Sequence, residues 1–240
     1  MRAIAGLVGV VLASLLSSCG PDASERRLPT IEVNAPLPPL PSTFSERAAC
    51  RPLGAYRPPA VGTRFVYSNA QGLRSEREIV SVTDDVVGFQ WRDLEAADQQ
   101  LLPVRHALLG MLVVYPDPGG ERRLEYRGDF RAGMAGLTVG QTLETAAVET
   151  STLGGKRMRL SFPARVTYRT CGVVQVGSTP LPVRVFDVLT ARWVIDRSGR
   201  EDVRISRVTY LLSETEGYPV ALQDAGVSTL VRIDRPLPSS

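Results

Sequence analysis

Long stretches in which apolar and polar residues alternate are the feature that most limits what this chain can fold into. Val203–Leu211 alternates almost without a break, and Met158–Cys171 and Val183–Ile195 are further long stretches rich in branched and aromatic residues. A period of two places one set of side chains on each face of a strand, whereas an amphipathic helix requires a period near 3.6. These stretches therefore predict long β-strands.

Shorter stretches between turn-like sequences extend the same pattern. They predict further strands near residues 63–69, 74–82, 86–92, 142–150 and 227–233. The chain has no fixed-period repeat and no regular alternation of strands with helices. We therefore expect a mainly β protein, in which an antiparallel sheet forms a sandwich or a half-open barrel with at most one or two short helices.

One apolar stretch, residues 104–115, is compatible with either a buried strand or a helix. Periodicity does not separate the two structures in so short a run. Gly110 and the sequence Val113-Val114-Tyr115 favour a strand in its second half. Whether this stretch is a helix or a strand is left open.

The first nineteen residues have the composition of a cleaved export signal. Arg2 precedes an apolar run from Ala3 to Leu16, which ends at Ser17-Ser18-Cys19. As a helix this run would reach about 20 Å, which is short of a hydrocarbon core of about 30 Å. It therefore favours a signal peptide over a retained membrane helix. An ordinary signal peptide with a cysteine near its end and a buried apolar helix are the alternatives.

The tetrapeptide Leu16-Ser17-Ser18-Cys19 resembles the lipobox of bacterial lipoprotein precursors. The resemblance implies that Cys19 receives a diacylglyceryl group, that cleavage occurs before Cys19, and that the new amine is acylated with a fatty acid such as palmitate. Two or three chains on one cysteine would form a stable membrane anchor. In enteric lipoproteins an aspartate after the cysteine signals inner-membrane retention. Gly20 therefore favours an outer membrane facing the periplasm, in a host that has one.

Proline content predicts how the chain is divided. Nine prolines fall in residues 20–59, where missing amide donors and fixed φ angles disfavour a packed sheet or a long helix. We expect this segment to be a semi-rigid tether. The predicted organisation is a signal peptide (1–18), a lipidated cysteine with its tether (19–59), an antiparallel β domain (60–235) and a frayed end (236–240).

The three cysteines have separate predicted roles. With Cys19 assigned to lipid, Cys50 and Cys171 remain as an even pair in a compartment that permits disulfides. The alternative is two unrelated buried thiols. A metal site is disfavoured because two cysteines and the lone His106 do not complete a tetrahedral shell without a carboxylate ligand. We expect no metal and no cofactor.

Charge disfavours nucleic acid as a partner. The formal net charge is +3, Lys156 is the only lysine, and arginines alternate with acidic residues, as in Arg74-Ser75-Glu76-Arg77-Glu78. A nucleic-acid binder would instead present a one-sided basic stripe with aromatic residues between the charges. The sequence therefore excludes this class.

Residues that could carry catalysis are few. His106 is the only histidine, and it lies beside Arg105 at the start of an apolar run. The chain has no nucleophile elbow, no paired-histidine zinc motif and no phosphate-binding glycine loop. The carboxylate pairs Asp84-Asp85 and Glu201-Asp202 fall at predicted turns or strand starts, which favours a structural role. We therefore expect no enzymatic activity.

Aromatic residues are the remaining candidates for a binding site. At strand spacing they are more often part of a packed core than of a ligand cavity. The set consists of Phe65, Tyr67, Phe89, Trp91, Phe162, Phe186 and Trp193.

A weaker resemblance concerns residues 60–235. Val61–Tyr67, Val176–Phe186 and Gly217–Val220 resemble strand-and-turn stretches of uncharacterised exported bacterial β proteins. Some of these are similar in architecture to half-barrel lipoprotein carriers and receptors, which hold acyl chains in an apolar cavity. No ligand-binding motif can be carried over residue by residue.

Together these features predict a membrane-anchored envelope lipoprotein. Its non-catalytic β domain would bind or support another envelope component. One alternative is a half-barrel binder or carrier of a lipid or another hydrophobic ligand. The other is a hydrolase that uses carboxylates.

Overall fold

In the computed structural model the described residues form one antiparallel sheet of thirteen strands and one short helix. The description covers residues 37, 39–50, 58–83, 86–96, 102–107, 113–117, 120–127, 130–153, 156–195, 201–214, 216, 218–223 and 227–236. The strands are β1 (Phe44–Glu46), β2 (Arg64–Asn69), β3 (Arg74–Thr83), β4 (Val86–Asp93), β5 (Leu102–Ala107), β6 (Val113–Asp117), β7 (Gly120–Tyr126), β8 (Thr142–Leu153), β9 (Lys156–Val176), β10 (Thr179–Ile195), β11 (Glu201–Ser213), β12 (Pro219–Gln223) and β13 (Val227–Asp234). The helix α1 spans Phe130–Ala135.

Hydrogen-bonded neighbours follow the order β1-β9-β10-β11-β12-β13-β2-β3-β4-β5-β6-β7-β8, and β9 also pairs with β8. Every pairing is antiparallel. The predicted fold class, a mainly β protein built on an antiparallel sheet with very little helix, is therefore confirmed. β10 and β11 contain two of the predicted long strands, those that end at Ile195 and Leu211.

The stretch 104–115, which the sequence leaves open, forms strand at both of its described ends. Residues up to Ala107 belong to β5, and residues from Val113 onward belong to β6. Residues 108–112 lie outside the described part of the chain, as do the signal peptide (1–18), Cys19, most of the tether and the last four residues.

The tether expectation is wrong at one place. Phe44–Glu46 forms β1, which pairs with residues 172–174 of β9. Proline is absent between Thr43 and Cys50, so every amide in this stretch remains available as a donor. Leu40 and Phe44 also pack against a buried core. The sheet thus recruits a strand from within the segment that proline content predicts to lie outside it.

Two buried clusters pack against opposite faces of β10. Successive strand residues point to opposite faces, and the first core contains Val185, whereas the second core contains Phe186. The first core also takes residues from β2, β3 and β4, and from β11 to β13. The second core takes residues from β9 and β11, and Met134 of α1, whose side chain is fully buried.

Burial on both faces explains the sequence of β10. Every residue from Val183 to Leu189 is buried, so this part of the strand lacks the polar alternation expected when one face meets water. A two-residue turn at Gly177-Ser178 joins β9 to β10, and Gly177 has a φ of 59°. No helix in the described residues is both long and apolar enough to cross a membrane.

Candidate functional site: the N-terminal clamp

The N-terminal clamp, residues 43–50, is the part of the tether that is fixed to the sheet. The Arg47 amide donates a hydrogen bond to the Cys171 carbonyl at 3.0 Å, and the Gln175 amide donates to the Thr43 carbonyl at 3.2 Å. These bonds extend the β1–β9 pairing at both ends. An edge of β9 that would otherwise present unpaired backbone groups is therefore covered.

A disulfide closes the clamp at its C-terminal end. Cys50 and Cys171 are bonded, with their Cα atoms 5.7 Å apart, which is within the usual range for a disulfide. Cys171 is fully buried in the second core, and Cys50 packs against that core. The predicted pairing is present in the structure. The sequence predicts this pair only from the even number of remaining cysteines and from a compartment that permits disulfides.

Polar contacts add to the backbone pairing and the disulfide. Arg47 Nη1 lies 3.3 Å from Glu214 Oε1, and the Glu214 side chain is only 14% exposed. The Thr170 hydroxyl donates a hydrogen bond to the Glu46 carboxylate. Residues of the clamp therefore contact the end of β11 as well as β9.

Gly172 permits the close approach of β1. A Cβ at this position would overlap the Ser45 carbonyl oxygen and the Phe44 ring. Because backbone and a packed ring move less easily than the end of a flexible side chain, any larger residue here would displace β1.

Beneath the clamp lies a buried cation. Arg184 is 2% exposed, its guanidinium lies 5.5 Å from the centre of the Tyr168 ring, and its strand partners are Cys171 and Leu212. Burial raises the pKa of Tyr168, and the Arg184 charge partly offsets that rise. The charges of the clamp residue Arg47 and its partner Glu214 also act on the pKa of Tyr168, so this buried polar group lies close to the clamp.

A second polar cluster lies on β7, β8 and β10, and sequence reasoning missed it. The Glu149 carboxylate accepts hydrogen bonds from Arg122 Nε, and Arg192 Nη1 lies 2.7 Å from its other oxygen. The Glu149 side chain is 9% exposed. Arg192 also lies 4.4 Å from the centre of the Phe162 ring. Arg122 and Arg192 thus both pair with one buried carboxylate. We interpret this cluster as a stabilising ion-pair network.

The residues considered for catalysis do not form a described site. His106 lies on β5 and Glu201-Asp202 begins β11, but their side chains, like all of Asp84-Asp85, lie outside the description. Among described residues no group of three or more histidine, cysteine or carboxylate side chains is placed to hold a metal ion.

The aromatic candidates are distributed over separate clusters. Phe65, Tyr67 and Phe89 belong to the first core and Trp91 packs against it, whereas Phe186 belongs to the second. Phe162 packs with two alanines in a smaller cluster, and the Trp193 side chain lies outside the description. The described members of the set therefore do not line one shared surface.

Comparisons with known proteins add little. No family model and no curated protein matches this chain. Among solved structures, the hypothetical lipoprotein YmcC from Escherichia coli K12 is similar, with a TM-score of 0.44 and 8% identity, over 74% of this chain and 87% of that one. Similarity at this level establishes neither a shared fold nor a shared function.

Proposed function

We propose that this protein is a membrane-anchored envelope lipoprotein whose β domain is non-catalytic and binds or supports another envelope component. The observation that carries the proposal is the N-terminal clamp. It lies within the proline-rich segment that follows the lipobox, and it joins that segment to a buried core by backbone pairing, an ion pair and a disulfide.

The clamp suits a protein that is attached by its N-terminus. A force on a lipid anchor acts on the first fixed residues of the folded domain, and a three-residue strand alone resists it weakly. The Cys50–Cys171 bond transfers that force to a fully buried residue of β9. The distribution of the aromatic residues over separate clusters gives no comparable support to the alternative of a carrier for hydrophobic ligands.

The anchor is tested with Cys19→Ser, which removes the thiol that accepts the lipid. We expect the wild-type protein to enter the detergent phase on phase separation, and the variant to remain as unprocessed precursor or to enter the aqueous phase. Cys50→Ser is the matched control, because it removes a cysteine but leaves the lipobox intact. If Cys19→Ser protein is still cleaved after Ser18 and still enters the detergent phase, the anchor is excluded.

The supporting role is tested separately, on protein extracted from native membranes in a mild detergent. We expect wild-type protein to sediment as an assembly larger than its own mass and micelle, and Cys19→Ser to lose that assembly. A wild-type protein that sediments only as a single chain in its micelle, with or without prior cross-linking, would contradict a role in assembly and leave the anchor unaffected.

A further inference from the structure

Arg77 is a cation on the apolar face of β2, β3 and β4. It lies directly opposite Phe65 on one neighbouring strand and Trp91 on the other. Its guanidinium is 4.4 Å from the centre of the Tyr67 ring and 5.5 Å from that of Phe89. A positive charge is thus surrounded by aromatic side chains of the first core.

Charges on the neighbouring residues are paired, which sets Arg77 apart. Arg74 forms an ion pair with Glu95 at 3.1 Å, and Glu76 and Glu78 pair with arginines on the adjacent strands. For Arg77, no carboxylate partner and no hydrogen-bond acceptor is found among the described residues. The difference follows from strand alternation, because Glu76 and Glu78 point to the face opposite Arg77.

Two buried donors on this face have no partner in the described part of the chain. They are Arg77 Nε and the hydroxyl of Thr63, a residue with no exposed surface. Thr63 precedes Phe65 by two residues and lies opposite Ile79, so it shares this face. The Arg77 guanidinium lies over Tyr67, on the other side of Phe65 from Thr63. Buried polar groups are normally hydrogen-bonded, and each exception requires an explanation.

Contacts with the aromatic rings satisfy the charge of Arg77 only in part. A cation over a ring gains about 0.5–2 kcal/mol, depending on how far it is desolvated. That interaction uses the face of the guanidinium and leaves the buried Nε–H group without an acceptor among the described residues. An oxyanion would accept a hydrogen bond from this group and neutralise the charge, and hydrogen bonds between charged groups are the stronger type. Arg77 and Trp91 are only partly buried, so the site reaches solvent on their side.

We propose that Arg77 and the aromatic side chains around it bind an oxyanion, either a carboxylate or a phosphate, carried by a molecule with a flat or apolar part. The guanidinium donates to the oxyanion. The partly exposed ring of Trp91 contacts the apolar part. This site is separate from the N-terminal clamp, and it does not depend on whether the chain is lipidated.

Three probes separate the required features, with mature full-length protein in neutral detergent and binding followed by calorimetry. Phenyl phosphate has both features, phenol lacks the anion, and inorganic phosphate lacks the ring. We expect saturable binding of phenyl phosphate, at least tenfold weaker binding of inorganic phosphate and none of phenol. Lysophosphatidic acid then distinguishes between a lipid headgroup and a soluble ligand as the source of the anion. If it binds more tightly than phenyl phosphate, the anion belongs to a lipid headgroup, and otherwise to a soluble ligand.

Variants assign the binding to Arg77. Arg77→Gln should weaken phenyl phosphate binding by about tenfold or more, which is the loss of a hydrogen bond to a charged group. Arg74→Gln makes the same change in charge on an arginine that is paired with Glu95, and we expect no effect. Arg77→Lys keeps the charge over the rings but not the planar fork, and should bind with intermediate affinity even if Arg77→Gln fails to fold.

Two results would overturn the proposal. The first is wild-type protein that shows no saturable binding of phenyl phosphate. The second is a loss of binding that is equal in the Arg77 and Arg74 variants, because it would reflect overall charge and not this site. In a Trp193→Phe background Trp91 is the only tryptophan, so a ligand-induced change in its fluorescence places the probe at this face.

Discussion

The two cores on opposite faces of β10 are stabilised in different ways. The first is closed mainly by β2 to β4 and β10 to β13, whose side chains pack on one another with Phe65, Tyr67 and Ile79 only 2–3% exposed. Phe44 of β1 is only partly buried against it. The second is covered in part by α1, six residues long, and by the segment that contains Cys50. It is the second core that carries the disulfide.

The difference shows where a cross-link is needed. A long strand fixes many residues and buries many side chains, so the conformational entropy lost is offset by apolar burial. A three-residue strand and the residues after it bury too little apolar surface to offset the same loss for each residue. A covalent bond to a buried cysteine removes much of that entropy from the unfolded chain instead.

The largest expected effect comes from removing that cross-link. The double variant Cys50→Ser, Cys171→Ser should lower the free energy of unfolding by about 2–5 kcal/mol, because the bond closes a loop with a sequence separation of 121. Urea unfolding measures the loss. Hydrogen exchange should show that amides of residues 44–47 lose protection before those of β2 and β3.

Reduced wild-type protein is the control for this first prediction, and it should unfold at the same urea concentration as the double variant. Alkylation followed by mass measurement tests the bond itself. If unreduced protein exported through its native envelope takes up label at both Cys50 and Cys171, the bond does not form and the contrast between the two cores has another cause.

The same contrast separates what the sequence predicts from what it does not. Long strands such as β10 and β11 follow from residue type and period, because each is specified by more than ten consecutive residues. The pairing of Cys50 with Cys171 follows from cysteine number and compartment. Both are local or countable properties of the chain.

The strand β1 and the Arg77 site were not predictable for a different reason. Phe44–Glu46 is a strand only because residues 172–174 are adjacent to it in space, more than a hundred residues away. Arg77 occurs in a run of alternating charges, which is typical of a solvent-exposed strand. Its unusual surroundings come from Phe65 and Trp91 on the neighbouring strands. Only the registers of the sheet reveal either feature.

A smaller effect is expected from Glu149, the buried carboxylate between two arginines. Glu149→Gln removes the charge but keeps the shape, and leaves Arg122 and Arg192 close together. Because both arginine side chains are about one-third exposed, solvent limits the cost, and we expect a loss of about 2 kcal/mol in urea unfolding.

Glu144→Gln is the matched control for this second prediction. Glu144 also pairs with an arginine, Arg165 at 2.8 Å, but its side chain is 71% exposed. We expect a change within about 0.5 kcal/mol. Equal losses in the two variants would mean that burial of the carboxylate does not matter and that the charges act only through the protein's overall field.

The smallest expected effect concerns Tyr67 in the first core, and it depends on pH. The Tyr67 hydroxyl donates a hydrogen bond to the Pro219 carbonyl at 2.8 Å. Burial raises the pKa of Tyr67 above its ordinary value, an effect that the nearby Arg77 charge partly opposes. The folded protein therefore retains this proton at a pH where the unfolded chain has lost it, and the stabilisation is present below about pH 10. It is lost as pH rises through the folded pKa.

At neutral pH, Tyr67→Phe should cost about 1 kcal/mol for the lost hydrogen bond. Above pH 10 the stability of wild-type protein should fall with pH, and that of the variant should fall less steeply, as measured by urea unfolding at a series of pH values. Parallel curves for the two proteins over the alkaline range would contradict a raised pKa at Tyr67, and would place the alkaline sensitivity of the chain elsewhere.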